Sequence, residues 1–181
     1  GTLPTSSYLT NICVHNTDPN IIWVTYSGYS ATTKVYKSIN GGSTWTNIST
    51  GLPNVPCNTI VFQNGGANDP VYVGTDIGVY YKDNSSGTWV SYFDGLPRVS
   101  VRDLEIFYPT GKIRAATFGR GTWQNDLMSP GASIPTAEFS GPQTGCPGSS
   151  ITFTDESAFS PTSWIWAITP GTAGVDWSYT G

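Results

Sequence analysis

Short apolar runs alternate with polar turns along the whole chain, and the order of runs repeats. An apolar run, a turn and a second apolar run occur three times. The pairs are Asn11-Ile12-Cys13-Val14 with Ile21-Ile22-Trp23-Val24-Thr25, Thr59-Ile60-Val61-Phe62 with Val71-Tyr72-Val73-Gly74-Thr75, and Leu104-Glu105-Ile106-Phe107 with Lys112-Ile113-Arg114-Ala115-Ala116-Thr117. The turns between them hold Asp18-Pro19-Asn20, Asn68-Asp69-Pro70 and Pro109-Thr110-Gly111, residue types that pre-set turn dihedrals. A third strand is predicted after each pair, at Lys34-Val35-Tyr36-Lys37, Gly78-Val79-Tyr80-Tyr81 and Gly121-Thr122-Trp123-Gln124. A fourth is predicted twice, at Trp45-Thr46-Asn47-Ile48 and Trp89-Val90-Ser91-Tyr92.

Gly51-Leu52-Pro53 recurs as Gly95-Leu96-Pro97, and Thr44-Trp45 as Thr88-Trp89, both 44 residues later. Four short strands in roughly 40–45 residues is the size of a β-propeller blade. The competing expectation is a β-sandwich whose shared turns coincide, but a sandwich of irregular strands has no reason to keep a period.

Composition narrows the class. Of 181 residues, 11% are charged and 13% aromatic, with 21 Gly and 13 Pro, which suits strands and tight turns and excludes a helical bundle. The length allows one large β domain or two small ones. Eight basic and twelve acidic residues, net charge −4, leave no basic stripe for counterion release, so nucleic acid is excluded as a partner. No apolar run reaches the roughly 20 residues of a membrane helix, and Gly1-Thr2-Leu3-Pro4 is no leader, so no membrane insertion is expected and the chain reads as a mature or internal piece. Cys13, Cys57 and Cys146 are too few and too far apart for a zinc site or a redox pair, with a Cys13–Cys57 bridge left open.

The turn Ser38-Ile39-Asn40-Gly41-Gly42-Ser43-Thr44-Trp45 resembles the Asp-box, or BNR repeat, S-x-D-x-G-x-T-W. Ser38, Gly42, Thr44 and Trp45 stand in place, and Asn40 replaces the Asp, keeping an acceptor oxygen without its charge. Such a turn needs a side-chain oxygen accepting its own backbone N–H groups, a glycine at positive φ, and a Trp that seals the gap to the next blade. The second copy, Lys82-Asp83-Asn84-Ser85-Ser86-Gly87-Thr88-Trp89, keeps only Gly87, Thr88 and Trp89. With Val73-Gly74-Thr75-Asp76-Ile77-Gly78-Val79-Tyr80 and Ala116-Thr117-Phe118-Gly119-Arg120-Gly121-Thr122-Trp123, residues 8–127 are similar to the last blades of sortilin-like and BNR propellers of secreted Bacteroidota proteins.

Residues 128–135 are a Pro/Gly/Ser linker. Thr136-Ala137-Glu138-Phe139-Ser140, Ser150-Ile151-Thr152-Phe153-Thr154-Asp155 and Thr162-Ser163-Trp164-Ile165-Trp166 resemble the first strands of a PKD domain, an immunoglobulin-like sandwich. The family's acidic turn after W-x-W is replaced by Ala167-Ile168-Thr169-Pro170, so a calcium role does not carry over. The expected architecture is all-β: residues 1–127 the C-terminal blades of a propeller, 128–135 a linker, 136–181 the N-terminal part of a PKD-like domain. Three blades are fewer than the four of the smallest rings, and a sandwich needs about seven strands, so both ends read as cut from a longer polypeptide.

Candidate chemistry is sparse. A sialidase needs an arginine cluster; Arg98, Arg102, Arg114 and Arg120 are present without that family's Arg-Ile-Pro, and read as surface residues laying their stems over aromatics. A glycosidase needs two facing carboxyl groups. Asp76, Asp94, Asp103 and Glu105 are available, Asp76 being the best placed for a central channel, although a turn-capping Asp is the commoner role. His15 is the only histidine and reads as a turn residue. Tyr26, Tyr29, Trp164, Trp166 and Trp177 could stack on sugar rings, with the sandwich core the commoner destination of Trp164 and Trp166. No catalytic residue, metal site or cofactor is expected.

These features describe a non-catalytic segment of a large secreted or cell-surface bacterial protein serving adhesion, display or structural interaction. Its expected partners are the rest of a longer chain, neighbouring subunits, and carbohydrate. The resemblance implies type IX export. Two alternatives stay open: the closing blades of a secreted glycoside hydrolase, sialidase- or xyloglucanase-like, with catalytic residues mostly elsewhere, and the accessory domains of a peptidase.

Overall fold

The computed structural model describes residues 1–92, 95–128, 138–142, 144 and 149–156. It divides into two compact units, residues 1–134 and 135–181. All strand pairing is antiparallel, and among the described residues no helix is long and apolar enough to cross a membrane.

The first unit is a row of three blades. Blade 1 comprises β1 (Leu9–Val14), β2 (Ile22–Tyr26), β3 (Val35–Ser38) and β4 (Thr46–Asn47). Blade 2 comprises β5 (Cys57–Phe62), β6 (Val71–Thr75), β7 (Gly78–Lys82) and β8 (Val90–Tyr92). Among the described residues blade 3 has three strands, β9 (Val101–Phe107), β10 (Lys112–Thr117) and β11 (Thr122–Asp126), with a 3-10 turn at Tyr108–Thr110 closed by Gly111 at φ +61°. Each sheet is a simple meander, and the sheets stack through their first strands, β1 on β5 and β5 on β9. This is the packing of propeller blades. It is not that of a two-sheet sandwich, because the middle sheet has a core on both faces.

Alternation along blade 2 builds both cores. Cys57, Ile60, Phe62, Val71, Val73 and Tyr80 face blade 1 and close on Trp23 and Val35, whereas Tyr72, Val79, Tyr81 and Tyr92 face blade 3 and close on Val101, Leu104, Ile106, Ile113 and Ala115. Blade 3 packs closely over Gly74: a Cβ there would lie 2.7 Å from Val101 Cγ1, and 2.6 Å from Thr59 Cγ2 of its own blade.

Each inner strand also carries a bulge near its start, at Leu9/Asn11, at Cys57/Thr59, and opposite Ala116/Thr117 in blade 3. A bulge re-aims one side chain out of alternation. Here the extra residue reaches the next blade: Thr10 Oγ1 donates to Cys57 O at 2.6 Å, and Asn58 Nδ2 to Val101 O at 3.0 Å.

The two outer faces of this row differ. On blade 1 the face turned from blade 2 is apolar, with Val24, Tyr26 and Tyr36 packed under Leu3 and Trp45 and with Ile12 left 59% exposed. On blade 3 the outward face carries Arg114 over the Phe107 ring at 4.3 Å, Arg102 over Phe118 at 5.5 Å, and a Lys112–Asp126 ion pair. Tyr26 is therefore a core residue, 2% exposed, and is unavailable for the sugar stacking expected of it, whereas Tyr29 is exposed. Cys13 and Cys57 are both free thiols.

In the second unit β12 (Phe139–Ser140) pairs with β13 (Thr154–Asp155), Glu156 N donates to Glu138 O at 2.9 Å, and Phe139 meets Phe153 edge to face. The expected sugar contacts Trp164, Trp166 and Trp177 lie outside the described residues, as do Cys146 and most of the linker.

Candidate functional site

Two clusters hold the side chains that sequence reading singles out, and a third group was not foreseen. The first cluster is the turn after β3. Ser38 Oγ accepts from Gly42 N at 2.9 Å and donates to Asn40 Oδ1 at 3.0 Å; Asn40 Oδ1 accepts from Thr44 N at 2.8 Å, and Asn40 Nδ2 donates to Thr44 Oγ1 at 2.8 Å. Gly42 has φ +88°, the left-handed region that glycine adopts without strain. The amide of Asn40 supplies both an acceptor and a donor, which a carboxylate cannot.

Trp45 does not seal the gap to the next blade. It packs on the opposite face, with Leu3, Val24, Tyr26 and Tyr36, and its N–H donates to Gly1 O at 2.9 Å. Trp89 repeats the arrangement one blade later: its N–H donates to Thr50 O at 3.2 Å, and its ring is buried against blade 1 with Nε1 donating to Ile48 O at 2.6 Å. Both Trp residues seal their blade against what precedes it. The physical reason is that the residue before the fourth strand points back toward the preceding Leu-Pro segment, Leu3-Pro4 or Leu52-Pro53.

The second cluster surrounds Asp76. Its Oδ1 accepts from Asn58 Nδ2 at 3.0 Å and from Ser100 Oγ at 2.8 Å, and its backbone N donates to Pro56 O at 3.2 Å. Because Asn58 also holds Val101 O, Asp76 is part of a clasp joining blade 2 to the entry of β9. Asp103, the next candidate carboxylate, accepts from Thr59 Oγ1 at 3.4 Å and Leu104 N at 3.0 Å. Asp94 lies outside the described residues. Among the described residues no three His, Cys, Asp or Glu side chains converge to hold a metal ion.

The unforeseen group lines a cavity of about 120 Å³ between blades 1 and 2, far more than the roughly 10–15 Å³ a single water needs. Two facing rows, one from each blade, meet there. Cys13, Trp23 and Lys37 are in register across β1–β3, and Phe62, Val71 and Lys82 across β5–β7, with Trp23 stacked on Phe62 at 5.3 Å. Each row ends in a lysine at the cavity. Lys37 Nζ lies 5.1 Å above the Trp23 ring and donates to Asn84 Oδ1 at 2.9 Å, while Lys82 Nζ donates to Ser86 O.

Two carboxylates share the cavity but bond to neutral donors or histidine. Asn84 Nδ2 donates to Asp69 Oδ2 at 2.8 Å, and His15 Nε2 is 3.5 Å from Asp69 Oδ1. Asp83 Oδ1 accepts from the backbone and hydroxyl groups of both Ser85 and Ser86, and Asp83 Oδ2 accepts from Tyr81 OH at 2.9 Å. Burial opposes the Asp83 charge, but the hydrogen bonds from Ser86, Ser85 and Tyr81 outweigh it and hold the carboxyl down at about 2. Burial lowers both lysines: Asp69 opposes the shift at Lys37 and Lys82 adds to it, while Asp83 opposes it at Lys82. Asp83 thus does in the second turn what Asn40 does in the first, one position earlier in the loop, which is why motif spacing overlooks it.

Neither protein-family models nor curated proteins match this chain. Among solved structures, the crystal structure of an ancestral GH74 enzyme is similar at 16% identity and TM-score 0.48, over 94% of this chain and 29% of that one. The chain spans less than a third of the length of that protein.

Proposed function

We propose that this chain is a non-catalytic propeller segment of a larger secreted or cell-surface bacterial protein, whose work is to hold and present contact surfaces to further blades, neighbouring subunits or carbohydrate. The observation that supports it is the use made of Asp76. A general acid or nucleophile of a glycosidase must face the scissile bond with a second carboxyl group opposite. Asp76 instead takes hydrogen bonds from Asn58 and Ser100 and ties two blades together. The likeness of residues 8–127 to BNR propellers, the Asn40-centred turn, and the likeness of residues 136–181 to PKD domains support an exported, multidomain parent in which type IX export is part of the same reading.

The test is Asp76→Asn in the full-length parent protein, assayed on β-glucan and sialoside substrates and by thermal unfolding. Asn keeps the Oδ1 acceptor, so the reading expects an unfolding midpoint close to the parent's and no change in any hydrolysis. Loss of hydrolysis with the midpoint intact would establish the hydrolase alternative.

A further inference from the structure

Among the described residues the ion pairs are His15 with Asp69 and Lys112 with Asp126, and neither involves Lys37 or Lys82. Both of these lysines nevertheless line the cavity between blades 1 and 2, one from each blade. An ammonium group has three donors. Lys37 Nζ uses one on Asn84 Oδ1 and Lys82 Nζ uses one on Ser86 O, which leaves each with two for whatever fills the cavity. Burial lowers Lys37, Asp69 opposes that shift and the Lys82 charge adds to it, so the two ammonium groups sense each other. The carboxylates on the same cavity are already engaged. Asp83 accepts from Ser85, Ser86 and Tyr81, and Asp69 accepts from Asn84 Nδ2 at 2.8 Å with His15 Nε2 at 3.5 Å. Lys82 stands 44 residues after Ser38, so the second turn carries an ammonium where the first carries a hydroxyl, and Lys37 directly precedes the first turn.

We infer that Lys37 and Lys82 form a binding site for one small tetrahedral oxyanion, free inorganic phosphate or sulfate, held between blades 1 and 2. The cavity of about 120 Å³ is several times the roughly 10–15 Å³ that one water needs, so it admits an ion with four oxygens. Bonds from an ammonium to an anionic oxygen are charge-assisted, about twice as strong as neutral ones, and lysine serves phosphate as a point charge. An anion between the two ammonium groups also relieves their repulsion, which a neutral sugar would leave in place. Nor does the cavity offer a ring for a sugar to stack on, because Trp23 is 1% exposed, with Lys37 over one face and Phe62 stacked on it. The site is remote in role from Asp76 and stands whether or not the parent protein hydrolyses glycans, so it goes beyond the proposed function.

The probe is inorganic phosphate, titrated at neutral pH and constant ionic strength into the nitrogen-15-labelled 181-residue chain and followed by amide chemical shifts. Saturable shifts at Asp69 and at residues 82–86 are expected, with sulfate competing for the same site. Lys37→Gln and Lys82→Gln should each weaken binding by about 10-fold or more, the scale of one lost hydrogen bond to a charged group. Lys112→Gln, which removes an ammonium paired with Asp126 away from the cavity, should leave it unchanged. Lys82 ends β7 and is only partly buried, so Lys82→Gln carries the test even if Lys37→Gln fails to fold. Shifts that never saturate, shifts confined to other residues, unchanged affinity in Lys82→Gln, or equal weakening by Lys112→Gln would overturn the inference. Tighter binding of glycerol phosphate than of inorganic phosphate would overturn the assignment to a free ion.

Discussion

At the scale of single residues, Asp83 and Tyr81 form a pH-sensitive pair. The Asp83 carboxyl lies at about 2 in the folded chain against 3.8 ordinarily, so folding keeps it deprotonated, and the stability it contributes is present above pH 3.8 and lost as pH falls toward 2. Asp83→Asn removes that slope: urea midpoints at pH 5 and pH 2.5 should lie closer together in the variant than in the parent chain. Tyr81 works in the opposite sense. Burial, the hydrogen bond to Asp83 and the Asp83 charge push its phenol up to about 12, so its contribution is intact below pH 10 and lost as pH rises through 12. Backbone demands are as local. Gly51 has φ +96°, and a Cβ there would lie 1.8 Å from Thr88 Oγ1, so Gly51→Ala should cost about 1–3 kcal/mol in denaturant unfolding. Gly87→Ala meets nothing within 4 Å and serves as the near-neutral control.

At the scale of elements, the bulged residues of the inner strands and the indole that precedes each fourth strand join one blade to the next. Trp89→Phe keeps most of the buried ring and loses the bond to Ile48 O, which predicts a loss of about 1 kcal/mol, against about 3–5 kcal/mol for Trp89→Ala, both read from equilibrium unfolding. Asn58→Ala removes donors to Asp76 and Val101 O together and should cost about 1–3 kcal/mol, with the added signature of faster hydrogen exchange at the start of β9. These strands were legible because alternation of apolar residues and turn chemistry are local properties of the sequence. The bulges were not, since inserting one residue into a strand leaves its composition unchanged and shows only against a partner strand.

At the scale of the molecule, the blades of the first unit pack in succession, β1 and β2 on β5, and β5 and β6 on β9, so stability is transmitted along the row as in other repeat architectures. Ile113→Ala, in the core between blades 2 and 3, should cost about 2–5 kcal/mol and accelerate amide exchange in β10 more than in β2, because β2 belongs to the core between blades 1 and 2. Equal acceleration in β2 and β10 would mean that the three blades open as one unit. The contrast between the outer faces, apolar on blade 1 and charged with cation–π pairs on blade 3, also belongs to this scale.

The sequence by itself determined the blade period, the strands within it and the turn centred on Ser38 and Asn40, because each follows from near neighbours or from a repeat; of the four arginines read as lying over aromatics, Arg102 and Arg114 do so. Tertiary structure alone decided that Trp45 faces backward, that Tyr26 is core, that Asp76 is a clasp, and that Lys37 and Lys82, 45 residues apart, end on one cavity. Those outcomes depend on which face of each sheet meets a neighbouring blade. Alternation fixes two faces for every strand but leaves open which of them another blade will cover.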